Sequence, residues 1–341
     1  MTLDLPLIWA GILATAVLLY VLLDGFDLGV GALFALATPE ERDVMTASIA
    51  PVWDGNETWL VLGGGGLFAA FPLAYAVVMP AFYLPIMLML GALIFRGVAF
   101  EFRAHGRRSG RRFWTFAFSA GSIVAAVSQG FVLGGFVQGI TVRNQAFAGG
   151  PLDWLTPFSC LTALSLTLGY ALLGSCWLIA KAEGDLQLKA RRWAKRLTLA
   201  VAVCMALVSI ATLSVNPAVT ARWGVSMHHI DGSKLLPLSP APVLGGLALA
   251  WLYLSAGRET TTYAPYASAA AAFLAGYLGL AFSIAPYVAP YQLTLWDCAA
   301  KDNALALMLV GVVIMLPVIL GYTAFVYWIF RGKAKAEHGY H

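Results

Sequence analysis

Asp24 and Asp27, Asp54 and Glu57, and Arg96 are five ionisable side chains set in, or at the ends of, long apolar stretches. A charge at membrane depth is costly, so it usually faces a protein interior or a water-filled path. Each acidic pair is spaced i, i+3, which places both carboxylates on neighbouring positions of one helix surface. Two chemistries suit such a set. A guanidinium can lock the carboxylates into an ion-pair network that ties helices together. Alternatively, carboxylates can pass protons inward from the mouth of a path, because burial shifts a carboxyl group toward its neutral form.

Other chemistries find little support. The four cysteines, Cys160, Cys176, Cys204 and Cys298, show no CxxC or Cys/His metal spacing. Most read as small packing residues. A membrane haem takes an axial His or Met from a helix. His105, His228, His229, His338 and His341 all read as loop or tail residues, and helical methionines such as Met87, Met89 and Met205 read as packing. The chain is therefore expected to bind no haem or metal by itself.

The elements that must position the five charges are membrane helices. The chain has 341 residues, 60% hydrophobic and 11% charged, with mean hydropathy +0.79. That balance is expected of a polytopic helical membrane protein, and its long, continuously apolar runs exclude a β-barrel. Runs of about 20 apolar residues predict about nine spans: 7–34, 53–71, 76–101, 114–138, 157–180, 197–216, 242–256, 265–286 and 304–330. The first run is too long for a signal-peptide core and reads as a retained helix. Pro72, Pro80 and Pro85 should bend or break the second and third spans. No linker divides residues 1–341, so a single membrane domain is expected. Spans one to four (about 7–138) and five to eight (about 157–286) would form two four-helix bundles. The ninth, about 304–330, would be peripheral.

With nine alternating spans, sixteen of the Lys and Arg residues fall on one side and four on the other, Arg96 lying within a span. The positive-inside rule then puts the N-terminus outside and the C-terminus in the cytoplasm. The basic loops read as orientation signals and anionic-lipid contacts, not nucleic-acid surfaces.

All five charges then meet the cytoplasmic side. Arg96 is within reach of Asp24, Asp27 or Asp54. Asp54 and Glu57 occupy the first turn of span two, where the helix dipole favours acids. Trp53 and Trp59 fit an interfacial belt. The run Gly63 to Gly66 suggests close packing or a widened helix. Glu101 and Arg103 read as a solvated pair. Asp297 is placed to pair with Lys301, and Asp302 or Asn303 to cap the last span. Gln129 and Gln138 read as interhelical hydrogen-bonding groups. Structural and proton-conducting roles both remain open for the set. A proton-coupled transporter is a further reading, since intramembrane carboxylates and glycine-broken helices also build transporters.

The segments DGFDLGVG (24–31), SIAPVWDGNETWL (48–60), GGGLFAAFPLAYA (64–76), FRGVAFEFR (95–103) and LWD (295–297) resemble subunit II of cytochrome bd-type quinol oxidases, in order and spacing along the whole chain. The resemblance implies the non-haem subunit of a terminal oxidase of the bacterial cytoplasmic membrane. Such a complex oxidises quinol and reduces dioxygen to water with cytoplasmic protons. It implies a haem-bearing subunit I as partner, holding two b-type haems and one d-type haem, or a third b-type haem in place of d. A small single-helix subunit, lipids, quinol and a structural quinone are further implied contacts. On this resemblance Asp54 lines a proton path, with Asp24, Asp27 and Glu57 as further candidates. Trp59 lies near the mouth of an oxygen route. Arg96, Glu101, Arg103 and Asp297 are structural.

Overall fold

The computed structural model describes residues 3–105, 108–226 and 229–335. Its helices are α1 (Leu5–Leu33), α2 (Pro39–Ile49), α3 (Trp53–Ala70), α4 (Pro72–Ala81), α5 (Tyr83–His105), α6 (Arg108–Gln138) and α7 (Pro157–Lys181). They continue with α8 (Gly184–Val215), α9 (Pro217–Trp223), α10 (Gly232–Leu238), α11 (Pro240–Ala256), α12 (Ala264–Ile284), α13 (Leu295–Cys298) and α14 (Asp302–Ile329). Three short antiparallel strand pairs add small hairpins, at 142–147, 225–230 and 287–294. Their position between helices leaves the all-helical class unchanged. His228, His338, His341 and Arg107 lie outside the described residues. His105 closes α5 instead of lying in a loop.

Among the described residues seven helices, α1, α5, α6, α7, α8, α12 and α14, are long and apolar enough to cross a membrane. The number is eight if α10 and α11, bent by 44°, count as one span. The chain is a multi-pass membrane protein. The expected second span, α3, forms as a helix of 18 residues. It is less apolar than the membrane-spanning stretches of those seven because Asp54, Asn56 and Glu57 occupy its start and four glycines its middle. The expected third span is divided. Phe71 leaves helical geometry so that Pro72 can open α4, and a second break at Phe82 separates α4 from α5. Proline at a first helical turn loses no hydrogen bond, which explains why the break falls just before it.

Helix association in a bilayer gains little from apolar burial, so close packing and hydrogen bonds must supply it. The central contact is α1 against α7. A Cβ on Gly29 would overlap the Tyr170 carbonyl, and one on Gly174 would strike the Gly29–Val30 backbone. The two backbones can touch only because both residues are glycine. Around this crossing Phe26, Leu28, Val30, Leu172, Leu173 and Ile179 are buried, and α3, α6, α12 and α14 also lie against α1. In contrast, only 6% of the most apolar window of α14 is buried, so nearly all of that helix faces outward.

Contacts between non-adjacent segments collect at two ends of the molecule. At one, Trp9 Nε1 donates to the Leu305 carbonyl at 3.1 Å, and the Ala300 amide to the Ala70 carbonyl at 2.9 Å. At the other, Lys181 donates to the Phe330 carbonyl, Tyr263 to the Arg331 carbonyl, and Arg191 to the carbonyls of Ala256, Arg258, Glu259 and Thr261. The basic loops meet at this second end.

Candidate functional site

The DGFD segment sits about three-quarters of the way along α1, where the helix is enclosed by α3, α6, α7 and α12. Both Asp24 and Asp27 are fully buried. Because α1 is apolar on every side, only its neighbours determine what these carboxylates meet. Asp24 turns toward α5, where Arg96 is 2% exposed. Arg96 Nη2 donates to Asp24 Oδ1 at 2.7 Å and to Glu57 Oε2 at 3.4 Å. Gly121 on α6 makes room for this arginine, since a Cβ there would press on the Ala92 carbonyl and on Arg96 itself.

Asp27 turns the other way. Asn56 Nδ2 donates to Asp27 Oδ2 at 2.8 Å, and the Tyr327 hydroxyl, from α14, donates to Asn56 Oδ1 at 2.9 Å. Between the two acids Phe26 stacks on Trp177 with ring centroids 4.1 Å apart. The Trp177 indole donates to the Ser48 carbonyl. The site therefore draws on α1, α3, α5, α7 and α14.

Not all of its polar atoms are partnered. Asp24 Oδ2, Asp27 Oδ1, Arg96 Nε and Nη1, and Trp59 Nε1 are buried with no hydrogen bond to the chain. One guanidinium faces three carboxylates. Exposure falls steadily inward: Asp54 is exposed, Glu57 is 27% exposed, and Asp24 and Asp27 are closed off.

The structure thus brings together Asp24, Asp27, Glu57 and Arg96, and it leaves Asp54 apart. Asp54 lies on the outer face of α3 with no hydrogen bond or ion pair among the described residues, and Arg96 pairs with Asp24 and Glu57 instead. Glu57, for which the helix dipole alone offered a sufficient account, is a member of the ion-pair network. Trp59 is 3% exposed and packs with Ala16 and Tyr20 inside the protein, not in an interfacial belt. Gly63 and Gly66 lie against Val17 and Leu13 of α1, whereas Gly64 and Gly65 meet nothing within 4 Å. Close packing therefore accounts for half of the glycine run, and α3 stays a regular helix.

Arg103 finds its partners away from Glu101. It donates to Asp43 at 2.8 Å, to Thr46 at 3.0 Å and to Thr115 at 3.3 Å, and it lies over the Phe34 ring. Arg111 also donates to Asp43. Burial pushes the Asp43 carboxyl up, but the bonds from Arg111 and Arg103 outweigh it and hold the group below the usual carboxylate range. At the opposite end Asp297 forms no ion pair with Lys301 among the described residues. It closes a capping box with Thr294, whose hydroxyl and amide hold the carboxylate below its ordinary range. Lys301 stands at the cap of α14 and makes no side-chain cap bond, while Asn303 Oδ1 accepts from the Ala304 amide of the first turn at 2.9 Å. Gln129 and Gln138 do bond between helices, to Tyr20 and Tyr170 and to Thr156.

Asn56, Tyr20, Tyr170 and Tyr327 were not singled out by sequence reasoning. Asn56 carried a signal, as a polar residue between two acids within a quoted segment. Tyr327 carried none. No group of three or more His, Cys, Asp or Glu residues able to hold a metal ion occurs among the described residues.

Comparison with known proteins bears directly on this arrangement. The chain is 29% identical over 368 aligned residues to cytochrome bd-I ubiquinol oxidase subunit 2 of Escherichia coli K12, covering 98% of this chain and 96% of that protein. It is 28% identical to cytochrome bd ubiquinol oxidase subunit 2 of Bacillus subtilis 168, covering 96% of each. Its fold matches a chain of the bd oxidase structure from Geobacillus thermodenitrificans with a TM-score of 0.75, at 18% identity, over 96% of this chain and 99% of that one. Residues 5–330 match the family model described as cytochrome bd terminal oxidase subunit II, and the chain belongs to that family.

Proposed function

We propose that this chain is the non-haem subunit II of a quinol:oxygen oxidoreductase, that it stabilises the haem-bearing subunit I, and that it carries a proton path from the cytoplasmic face. The observation that carries this reading is the inward gradient of carboxylates, Asp54, Glu57, then Asp24 and Asp27, around a single guanidinium. Its unpartnered buried atoms call for ordered water, since buried polar groups are otherwise bonded. Water chains between carboxylates are what proton transfer needs. Asp54, unpaired on the outer face of α3, is the member offered to a partner subunit.

Family membership makes the chain a subunit of a terminal quinol oxidase and sets aside the transporter reading. The finer reading places the N-terminus outside and the C-terminus in the cytoplasm of a bacterial inner membrane. Two four-helix groups, α1, α3, α5, α6 and α7, α8, α11, α12, would then stand beside a peripheral α14. Two b-type haems and a d-type haem, or a third b-type haem, belong to subunit I. Trp59, buried beside the α3 surface, marks the side for an oxygen route. A structural quinone and a small single-helix subunit remain compatible additions.

The test is Asp54→Asn in the purified complex, with haem spectra and oxygen consumption measured on the same sample. Normal haem content with impaired oxygen reduction supports the proton role. Loss of haem assigns Asp54 to assembly and removes the proton role.

A further inference from the structure

α14 carries Tyr327 to the acidic site although little of its length packs against the protein. Its rotation and height must therefore be set near its ends. At its C-terminal end two lysines do this. Lys181, the last residue of α7, is 5% exposed. Its ammonium has three hydrogens and no capacity to accept. It donates to the Phe330 carbonyl and, at 3.3 Å, to the Gly332 carbonyl, and it lies over the Trp177 ring, 5.0 Å from its centre. In return Lys333 donates to the Ala182 carbonyl at 3.0 Å, and the Ala334 amide to the Lys181 carbonyl at 2.8 Å. A helix leaves its last carbonyls unpaired and its C-terminus partially negative. Here each helix receives at that end a cation carried by the other.

Trp177 and Lys181 are one turn apart on α7, as Tyr327 and Phe330 are at the end of α14. The Trp177 and Tyr327 rings meet edge-on with centroids 6.0 Å apart. Two contacts one turn apart, Trp177 with Tyr327 and Lys181 with Phe330, fix both the height and the rotation of α14 against α7. A single contact would leave the rotation free.

From Tyr327 to the acid every step is a hydrogen bond of settled direction. Asn56 Nδ2 donates to the Leu23 carbonyl at 3.3 Å as well as to Asp27 Oδ2 at 2.8 Å. A backbone carbonyl can only accept, so Leu23 fixes which end of the amide faces α1. The Asn56 oxygen is left for Tyr327, whose hydroxyl must donate to it, at 2.9 Å.

We infer that Lys181 and Lys333 clasp the end of α14 and so hold Tyr327 against Asn56, whose amide in turn sets the carboxyl group of Asp27. This rests on the proton-path reading, in which Asp27 is an inner acid, and adds to it residues from outside the acidic cluster. Lys181, Lys333 and Tyr327 are positioning residues that act on Asp27 through Asn56.

The experiment uses the complete oxidase with Tyr327→Phe, Lys181→Met and the two combined. Haem content, oxygen consumption and the infrared bands of isotope-labelled aspartate are read on each sample. Tyr327→Phe keeps the ring and removes only the donor, so the aspartate band it displaces is the signature of the site. Lys181→Met keeps an apolar stem over Trp177 and removes the ammonium. It should displace the same band and lower oxygen consumption about two- to tenfold at normal haem content, the worth of one neutral hydrogen bond. Added to Tyr327→Phe, it should change neither reading further. An unmoved aspartate band in either single variant overturns the clasp, as does a full second loss in the combined one. A displaced band with wild-type oxygen consumption keeps the clasp and refutes Asp27 as a proton carrier. Where Lys181→Met loses haem, Lys333→Met is read by the same criteria, since it leaves the bonds of Lys181 in place. Loss of haem in both assigns the lysines to assembly and overturns the positioning role.

Discussion

Replacing Arg96 by leucine is the sharpest perturbation of this structure. It removes the one guanidinium that faces Asp24 and Glu57, and with it a 2.7 Å and a 3.4 Å contact. Glu57, 27% exposed, can turn to water. Asp24 is fully buried and has no such escape, and Asp27, equally buried, lies one turn away. Breaking a buried pair from one side typically costs ~3–5 kcal/mol, whereas replacing both partners by apolar groups is often neutral or better. Arg96→Leu and Asp24→Leu should therefore each lower the yield and thermal stability of the complex, and Arg96→Leu with Asp24→Leu should recover most of the loss. Haem content and thermal inactivation of detergent-purified complexes, measured for all four members of the cycle, give the coupling directly. Wild-type yield and melting in the single variants would refute the reasoning. So would a double variant as unstable as the sum of the two.

Gly29→Ala should impair assembly by ~1–3 kcal/mol, because it overpacks the α1–α7 crossing, while Gly64→Ala, with nothing within 4 Å, should leave the yield unchanged; quantitative immunoblots of membranes check both. The Asp43 carboxyl is held below its usual range, so its contribution to stability is complete above the ordinary carboxylate pKa of about 4 and fades as pH falls through the lower folded value. Asp43→Asn should remove this part of the acid dependence, read as a flatter melting-temperature profile on the acid side. Lys189→Met should break the 2.8 Å contact to Glu41 that ties α2 to α8, with a loss of about 0–1 kcal/mol since the pair is partly exposed. Limited proteolysis of the α1–α2 connection would report it.

Particular residues show how far the sequence could lead. The four acids and Arg96 were conspicuous because apolar surroundings make any charge stand out. Which carboxylate meets the arginine was not legible. Asp54 is two residues from the inward-facing Asn56, a rotation of about 200° on a helix of 3.6 residues per turn. That rotation places Asp54 on the far side of α3, but polar residues on every side of its first turns give no phase from which to read it. Arg103 was misassigned for a related reason. Its partner Asp43 lies in α2, sixty residues upstream, while Glu101 was merely near in sequence. Tyr327 could not be found, because nothing in a largely outward-facing apolar helix marks which of its residues reaches the acidic site.

That residue has a consequence for biosynthesis. Asn56 receives the Tyr327 hydroxyl across 271 positions of sequence, so the acidic site opens in α1 and is completed only by α14, which is made much later. Until α14 enters the bilayer, the amide that holds Asp27 lacks one of its own supports. A chain interrupted before α14 would carry every acid of the site and still leave it unfinished, so the cluster reports whether synthesis passed that helix.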